Sequence, residues 1–184
     1  MKELKTPLSD EIISAINAGE LVNISGKIFT ARDAAHKKLV ELVNNGKKLP
    51  FDFPGQAVFY AGPAPAKPGK PIGSIGPTTS GRMDTYSPLL ISSGLKIMIG
   101  KGTRSRDVVG AIIKYGGIYF AATGGIAALM AKCVKSAKII AFEELGTEAI
   151  WELEVEHLPL IAAIDSRGKN LYEISRLDHL RANK

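Results

Sequence analysis

The stretch LKIMIGKGTRSRDVVGAIIKYGGIYFAA, residues 95–122, decides the fold of this chain. It contains two short apolar runs, residues 97–99 and 118–122, on either side of an amphipathic segment. This pattern predicts a strand, a helix and a second strand parallel to the first, with Ser105 as the helix cap. A third apolar run at residues 139–142 extends the expected parallel arrangement. The sequence therefore predicts an α/β fold.

Lys101 and Gly102 come directly after the first of these strands. Open α/β sheets bind their ligands beyond the carboxyl ends of the strands, so Lys101 is a candidate binding residue. Gly124-Gly125 follows the next strand, but it lacks the spacing of a dinucleotide or phosphate loop and indicates a phosphate site only weakly.

The rest of the chain alternates between strand and helix patterns. Residues 10–18 predict a short helix, residues 21–29 a strand broken at Gly26, and residues 57–61 a buried strand. Further strands are expected at residues 150–155 and 160–164, and the second of these ends at a turn.

Arg32 lies near the start of a predicted helix that Thr30 is expected to cap and Gly46 to end. A cation in the first turn opposes the helix dipole at a cost of about 0.3–1 kcal/mol when it is exposed. A bound anion would remove that cost, so Arg32 is a candidate ligand-binding residue. Two placements of His36, one turn further on, stay open: flanking the same site, or facing solvent, which is the commoner explanation of such a histidine.

Residues 76–84, with the sequence GPTTSGRMD, carry the most specific functional signal. Their glycines permit an unusual backbone path, their hydroxyls, beginning at Thr78, donate hydrogen bonds without adding charge, and Arg82 can grip a carboxylate with two parallel hydrogen bonds. This combination suits a small carboxylate, although an ordinary Gly-Pro turn before a capped helix has the same composition. A short helix over residues 82–90 is expected, limited by Pro88.

The composition describes a soluble globular protein that forms one domain over residues 1–184, with 45% hydrophobic and 23% charged residues. A net charge of +6 is compatible with nucleic acid, an anionic substrate or an acidic protein partner. The single cysteine, Cys133, excludes an internal disulfide and a cysteine-ligated cluster within this chain, and it suits a reducing cytoplasm. No signal peptide or membrane span is expected.

The chain resembles the beta subunit, or the equivalent C-terminal domain, of the class I iron-sulfur fumarases. Five blocks in the same order carry the resemblance: Ser25-Gly26 with residues 30–36, residues 60–63, residues 76–84, Gly100-Lys101-Gly102 with Arg104-Ser105, and residues 144–151. The block at residues 76–84 is the most specific of them.

The resemblance implies a swivelling β/β/α domain with a mixed sheet flanked by helices. It also implies a partner, an iron-sulfur alpha subunit in a heterodimer or α2β2 assembly, whose cysteines hold a 4Fe-4S cluster. The reaction implied is the reversible hydration of fumarate to L-malate. Arg32, Arg82 and Lys101 become the clamps for the substrate carboxylates. Thr78, together with an aspartate of the partner, becomes a catalytic base beside the reacting carbon. No metal ligand is expected in this chain.

Two other hypotheses about the function of the chain remain open. The beta subunit of L-tartrate dehydratase shares the scaffold and the Gly-Pro-Thr-Thr core, although the residues from Gly81 to Asp84 and those at 144–151 resemble fumarase more closely. A non-catalytic module that binds anions or nucleic acid would also use the positive charge, but no nucleic-acid recognition motif accompanies that charge.

Overall fold

The computed structural model describes residues 1–122 and 127–174, so Gly124-Gly125 lies outside the described residues. Within them, a seven-stranded mixed sheet is flanked by helices, which confirms the α/β class. In chain order the elements are β1 (Lys2–Lys5), α1 (Asp10–Ser14), β2 (Leu21–Thr30), α2 (Asp33–Asn44), β3 (Ala57–Phe59), a 3-10 helix (Ser80–Met83), α3 (Ser87–Ser92), β4 (Ile97–Gly100), α4 (Arg106–Tyr115), β5 (Ile118–Ala121), α5 (Ala127–Cys133), β6 (Val134–Ala141), a second 3-10 helix (Glu143–Glu148) and β7 (Ile150–Ile164).

The strands from β1 to β5 pair in parallel, each with the next, and β7 runs antiparallel to β2, β5 and β6. Because β7 pairs with both β2 and β5, the strands β2, β3, β4, β5 and β7 form a closed circuit. The antiparallel strand β7 thereby ties β2 to β5 on the far side of the parallel strands that lie between them.

Alternate residues of the central strands contribute to two separate apolar cores. On one face, Ile28, Ile97 and Phe120 are buried together with residues from α1 and from the loop before the first 3-10 helix. On the other face, helices α2, α3 and α4 pack against the sheet, and Leu39 and Ile112 are among their fully buried residues. This period of two is the pattern of strands that are covered on both faces.

The expected parallel strand at residues 139–142 is wrong. The strand there, β6, begins at Val134 and runs antiparallel to β7. Lys138 faces Glu152 across this pair, and Nζ of Lys138 lies 3.1 Å from Oε1 of Glu152. Exposed lysines along β6 suit an edge strand paired with acidic residues of β7, whereas parallel strands are buried on both faces.

Several local boundaries also differ from expectation. The strand β2 continues through Gly26, which has φ 100° and lies where the pairing with β7 shifts register. The runs at residues 150–155 and 160–164 form one long strand, β7, and α1 stops at Ser14. In place of the one helix expected over residues 82–90, the structure has the first 3-10 helix and α3, and Pro88 lies in the first turn of α3, a position that suits proline.

Thr30 does not cap helix α2. Its hydroxyl oxygen accepts a hydrogen bond from the Trp151 amide at 3.2 Å, so the side chain ties β2 to β7. Within the described residues, no helix is long and apolar enough to cross a membrane.

Candidate active site

The carboxyl ends of β2, β3 and β4 meet at one edge of the sheet because these strands are parallel neighbours. Arg32 follows the end of β2, Tyr60 follows β3, and Lys101 follows β4. Arg32 and Lys101 leave the sheet from the two strands that flank β3. Each of these strands lies about 4.8 Å from β3. The edge therefore places two of the predicted binding residues near each other.

The segment of residues 76–84 adds Thr78 to this edge. The Thr78 amide donates to the Tyr60 carbonyl at 2.6 Å, and the Ser80 amide donates to the Lys101 carbonyl at 2.9 Å. Thr79 and Lys101 also form a parallel β-bridge. The segment thus lies between the ends of β3 and β4, with Thr78 half-buried and Lys101 exposed.

Arg82 reaches the same place from the first 3-10 helix. Its Nε donates to Oδ1 of Asp33 at 2.8 Å, and Asp33 is the first residue of α2, next to Arg32. About half of the Arg82 side chain remains exposed, so the guanidinium can reach a ligand as well as Asp33. All four residues predicted from the sequence, Arg32, Thr78, Arg82 and Lys101, therefore lie along one edge.

Arg32 is the N-cap of α2, not part of its first turn, and a carboxylate neighbours it within the chain. Its Nη2 lies 3.0 Å from Oε1 of Glu148, and Oε2 of Glu148 accepts the amide of Ala34 at 3.2 Å. This internal carboxylate offsets the conflict with the helix dipole that a ligand alone was expected to relieve.

The Nε of Arg32 is buried and has no hydrogen-bond partner among the described residues. An unsatisfied buried donor costs about 1–3 kcal/mol, and more when it is charged. An anion or a water molecule that accepts this hydrogen bond would remove the cost.

Arg104 lies beneath the edge and is the one buried lysine or arginine among the described residues. Its Nε lies 2.7 Å from Oδ1 of Asp84, and its Nη2 donates to the Ser87 hydroxyl at 2.8 Å. The guanidinium also lies 5.2 Å from the ring centre of Tyr60 and 5.1 Å from that of Tyr119. Asp84 accepts the Ser105 amide at 2.6 Å as well, so one carboxylate joins the 76–84 segment to the start of α4.

A second buried contact holds the middle of the 76–84 segment. Tyr119 donates to the Gly102 carbonyl at 2.9 Å, and the Ser80 hydroxyl lies 2.9 Å from the Tyr119 oxygen. Burial raises the pKa of Tyr119, so its hydroxyl keeps the proton that it donates. A Cβ on Gly100 would collide with the Ser80 hydroxyl, which explains why glycine ends β4.

The described residues contain no group of three or more histidine, cysteine, aspartate or glutamate side chains arranged to hold a metal ion. Cys133 ends α5, where its sulfur lies 3.8 Å from the carbonyls of Leu129 and His157. At the candidate site the chain presents hydroxyl, guanidinium and ammonium groups, which are donors for carboxylates and poor ligands for iron.

A family model described as Fumarase C-terminus matches residues 2–175. The chain belongs to this family. The anaerobic class I fumarate hydratase of Escherichia coli strain K12 is 42% identical over 175 residues, which cover 94% of this chain and 31% of the relative. Fumarate hydratase 2 of Leishmania major is 41% identical over 174 residues, with 92% and 31% covered. The chain thus spans about a third of the length of these fumarate hydratases.

A relative of similar size carries a different name. The putative L(+)-tartrate dehydratase subunit beta of Methanocaldococcus jannaschii is 40% identical over 172 residues, which cover 90% of this chain and 88% of the relative. Members of the fumarase C-terminal family therefore occur both within longer chains and as a chain of about this length.

The burial of His36 was not predicted from the sequence. His36 is fully buried instead of facing solvent, and its Nδ1 lies 2.9 Å from the Arg32 carbonyl. Burial, with the charge of Arg104, lowers the pKa of His36 to about 4, so the ring is neutral at pH 7. A neutral ring donates from Nδ1 to the carbonyl and helps to hold the Arg32 backbone. The spacing of His36, Leu39 and Val43 along one helical face would have indicated this burial.

Glu148 was also missed as a contact of Arg32. It lies 116 positions away in the sequence, and no local pattern links the two residues. The one available signal was its place in the block of residues 144–151, which had no assigned role.

Proposed function

We propose that this chain is the beta subunit of a two-subunit iron-sulfur hydro-lyase that reversibly hydrates fumarate to L-malate and is active only with its alpha subunit. The observation that carries the proposal is the single strand edge at which Arg32, Thr78, Arg82 and Lys101 lie together. The family match and the fumarate hydratases at 41–42% identity support it.

The three cations suit a substrate with two carboxylates. Each guanidinium can donate parallel hydrogen bonds to a carboxylate, and Lys101 adds a mobile point charge from the neighbouring strand. Removal of a proton beside a carboxylate places extra negative charge on that group in the transition state. Cations fixed there stabilise the transition state more than the ground state, which is the condition for catalysis.

Thr78 is proposed as a base that acts with an aspartate of the partner. Its amide is fixed to the Tyr60 carbonyl, and the neighbouring Thr79 is bridged to Lys101, so the hydroxyl is carried by a well-held backbone. Cations nearby favour the ionised form of a hydroxyl, and Lys101 and Arg82 at the same strand edge are the candidates for this effect.

The proposed 4Fe-4S cluster is held by the alpha subunit. The donor set of this chain fits that division, because its candidate site presents groups for carboxylates and Cys133 lies at the end of α5 instead. When bound, such a cluster supplies a Lewis acid for the substrate hydroxyl. We place the assembly in the cytoplasm, where a reducing environment suits a cluster and a free thiol.

L-Tartrate dehydratase beta subunit is the second candidate. The relative that carries this name is covered over 88% of its length and is therefore similar in size to this chain, in contrast to the fumarate hydratases at 31%. Tartrate has two carboxylates like malate, and the same three cations would bind them.

The test is anaerobic purification of the chain, by affinity pull-down from its own host, followed by assays with fumarate, malate and tartrate. The chain purified alone is the control. We expect the iron-containing complex to interconvert fumarate and malate and the isolated chain to be inactive. Turnover of tartrate in place of fumarate would select the second candidate. A complex without iron and without dehydratase activity would overturn both.

A further inference from the structure

We propose that Glu148 is a positioning residue for Arg32. It fixes the guanidinium so that the free Nε–H is presented to a substrate carboxylate. This inference rests on the proposed function, because it assigns Arg32 to substrate binding. Through Glu148, the block at residues 144–151 gains a role at the candidate site.

Glu148 joins two groups that a carboxylate is suited to bind. One oxygen lies 3.0 Å from Nη2 of Arg32, and the other accepts the amide of Ala34 in the first turn of α2 at 3.2 Å. About a quarter of each side chain of the ion pair is exposed, so the contact is shielded from bulk solvent on most sides. One carboxylate of the second 3-10 helix thus holds both the Arg32 side chain and the first turn of α2.

The backbone around Glu148 is shaped for this contact. Gly146, with φ 59° and ψ −118°, interrupts the second 3-10 helix two residues before Glu148. A Cβ on Gly62 would collide with the Thr147 carbonyl and would lie 3.4 Å from Cδ of Arg32. Gly62 therefore allows the Thr147 backbone and the Arg32 stem to approach the end of β3 together.

The consequence is that Nη2 of the Arg32 guanidinium is paired with Glu148 within the chain, while its buried Nε–H is left without an acceptor among the described residues. The rigid fork of a guanidinium transmits the orientation set at one nitrogen to the others. Glu148 acts on the substrate through Arg32 and need not touch the substrate itself.

Glu144 provides a matched control. It lies on the same 3-10 helix and also forms an ion pair, with Lys38, but it is largely exposed and its partner belongs to the surface of α2. A general effect of lost negative charge on this segment would appear in variants of either glutamate. A positioning effect on Arg32 would appear in variants of Glu148 alone.

The kinetic test compares Glu148→Ala, Glu148→Gln and Glu144→Ala in the assembled complex. A misplacement of about 1 Å can cost a hundredfold in rate, so we expect Glu148→Ala to lower kcat/KM for fumarate by about that factor. Glutamine keeps one acceptor oxygen, so partial rescue is expected, with Glu144→Ala equal to the wild type. Equal losses in the two alanine variants, or wild-type kcat/KM in Glu148→Ala, would overturn the proposal.

A second readout is independent of turnover. In the full chain alone, the NMR signal of the Arg32 Nε–H should broaden and the Ala34 amide should exchange faster in Glu148→Ala, with neither effect in Glu144→Ala. Unchanged signals would overturn the positioning role. If the wild-type complex turns over neither fumarate nor tartrate, the proposed function fails while this readout still tests the contact.

Discussion

Arg104 and Asp84 form a buried ion pair, with 2.7 Å between Nε and Oδ1, beneath the strand edge that carries the candidate site. The Arg104 side chain is fully inaccessible, and only 15% of the Asp84 side chain is exposed. Removing one member of a buried pair leaves the other charge uncompensated, whereas the same change at the surface has little effect.

Asp84→Asn should therefore lower the free energy of unfolding by about 3–5 kcal/mol. The substitution keeps the shape of the side chain and removes the charge that Arg104 faces. Urea unfolding of the purified chain measures this change. Glu156→Gln, which breaks the exposed pair with Lys135, is the control and should leave the stability unchanged. Equal stability of the two variants would show that the Arg104 pair is not a structural anchor.

The stability should fall as the pH is lowered from about 6.5 to 4, and His36 should account for part of this loss. Its folded pKa of about 4 lies below the usual value of 6.5, so the unfolded state binds a proton throughout that window while the folded state does not. The shift corresponds to a loss on the order of 3 kcal/mol at most, complete below pH 4.

Urea unfolding at a series of pH values tests the role of His36. His36→Asn, which keeps an amide donor and removes the titration, should have a flatter profile even if it is less stable at pH 7. An unchanged slope in His36→Asn would mean that His36 is not the titrating group.

Gly100→Ala should destabilise the chain by about 1–3 kcal/mol, because a new methyl group would overlap the Ser80 hydroxyl. The cost should be smaller in a Ser80→Ala background, where that hydroxyl is absent. Thermal unfolding of the two single variants and the double variant measures the coupling.

The control for Gly100→Ala is Gly110→Ala in α4, where a Cβ would meet nothing within 4 Å. It should stabilise the chain by roughly 0.5–1 kcal/mol. If Gly100→Ala is as well tolerated as Gly110→Ala, the close contact between β4 and the 76–84 segment is not a constraint.

The sequence was sufficient for the features that depend on local pattern. The positions at which β2 and β4 end, next to Arg32 and Lys101, could be predicted from the apolar runs before them. A strand of four or more residues has a recognisable composition. The Ser105 cap was also predicted from local pattern, because a serine directly before an amphipathic segment is typical of a helix start. Its hydroxyl accepts the Val108 amide at 3.3 Å.

Features that depend on contacts between residues far apart in the sequence could not be predicted from local pattern. Thr30 has the chemistry of a helix cap, but it bonds to Trp151 because β7 folds back along β2. The antiparallel placement of β6 depends on Lys138 and Glu152 facing each other, and the Arg32–Glu148 contact joins opposite ends of the chain. Such pairings are set by tertiary structure, which local propensity does not encode.

The central claim is that the strand edge binds a dicarboxylate for the addition of water, and Arg82→Ala in the assembled complex tests it most directly. Loss of a charged clamp costs about 2–5 kcal/mol, so kcat/KM for fumarate should fall by roughly thirtyfold to several thousandfold while the variant still co-purifies with its partner. Arg106→Ala, which removes an exposed arginine at the start of α4, is the control and should be fully active. Wild-type activity in Arg82→Ala would contradict the assignment of the site.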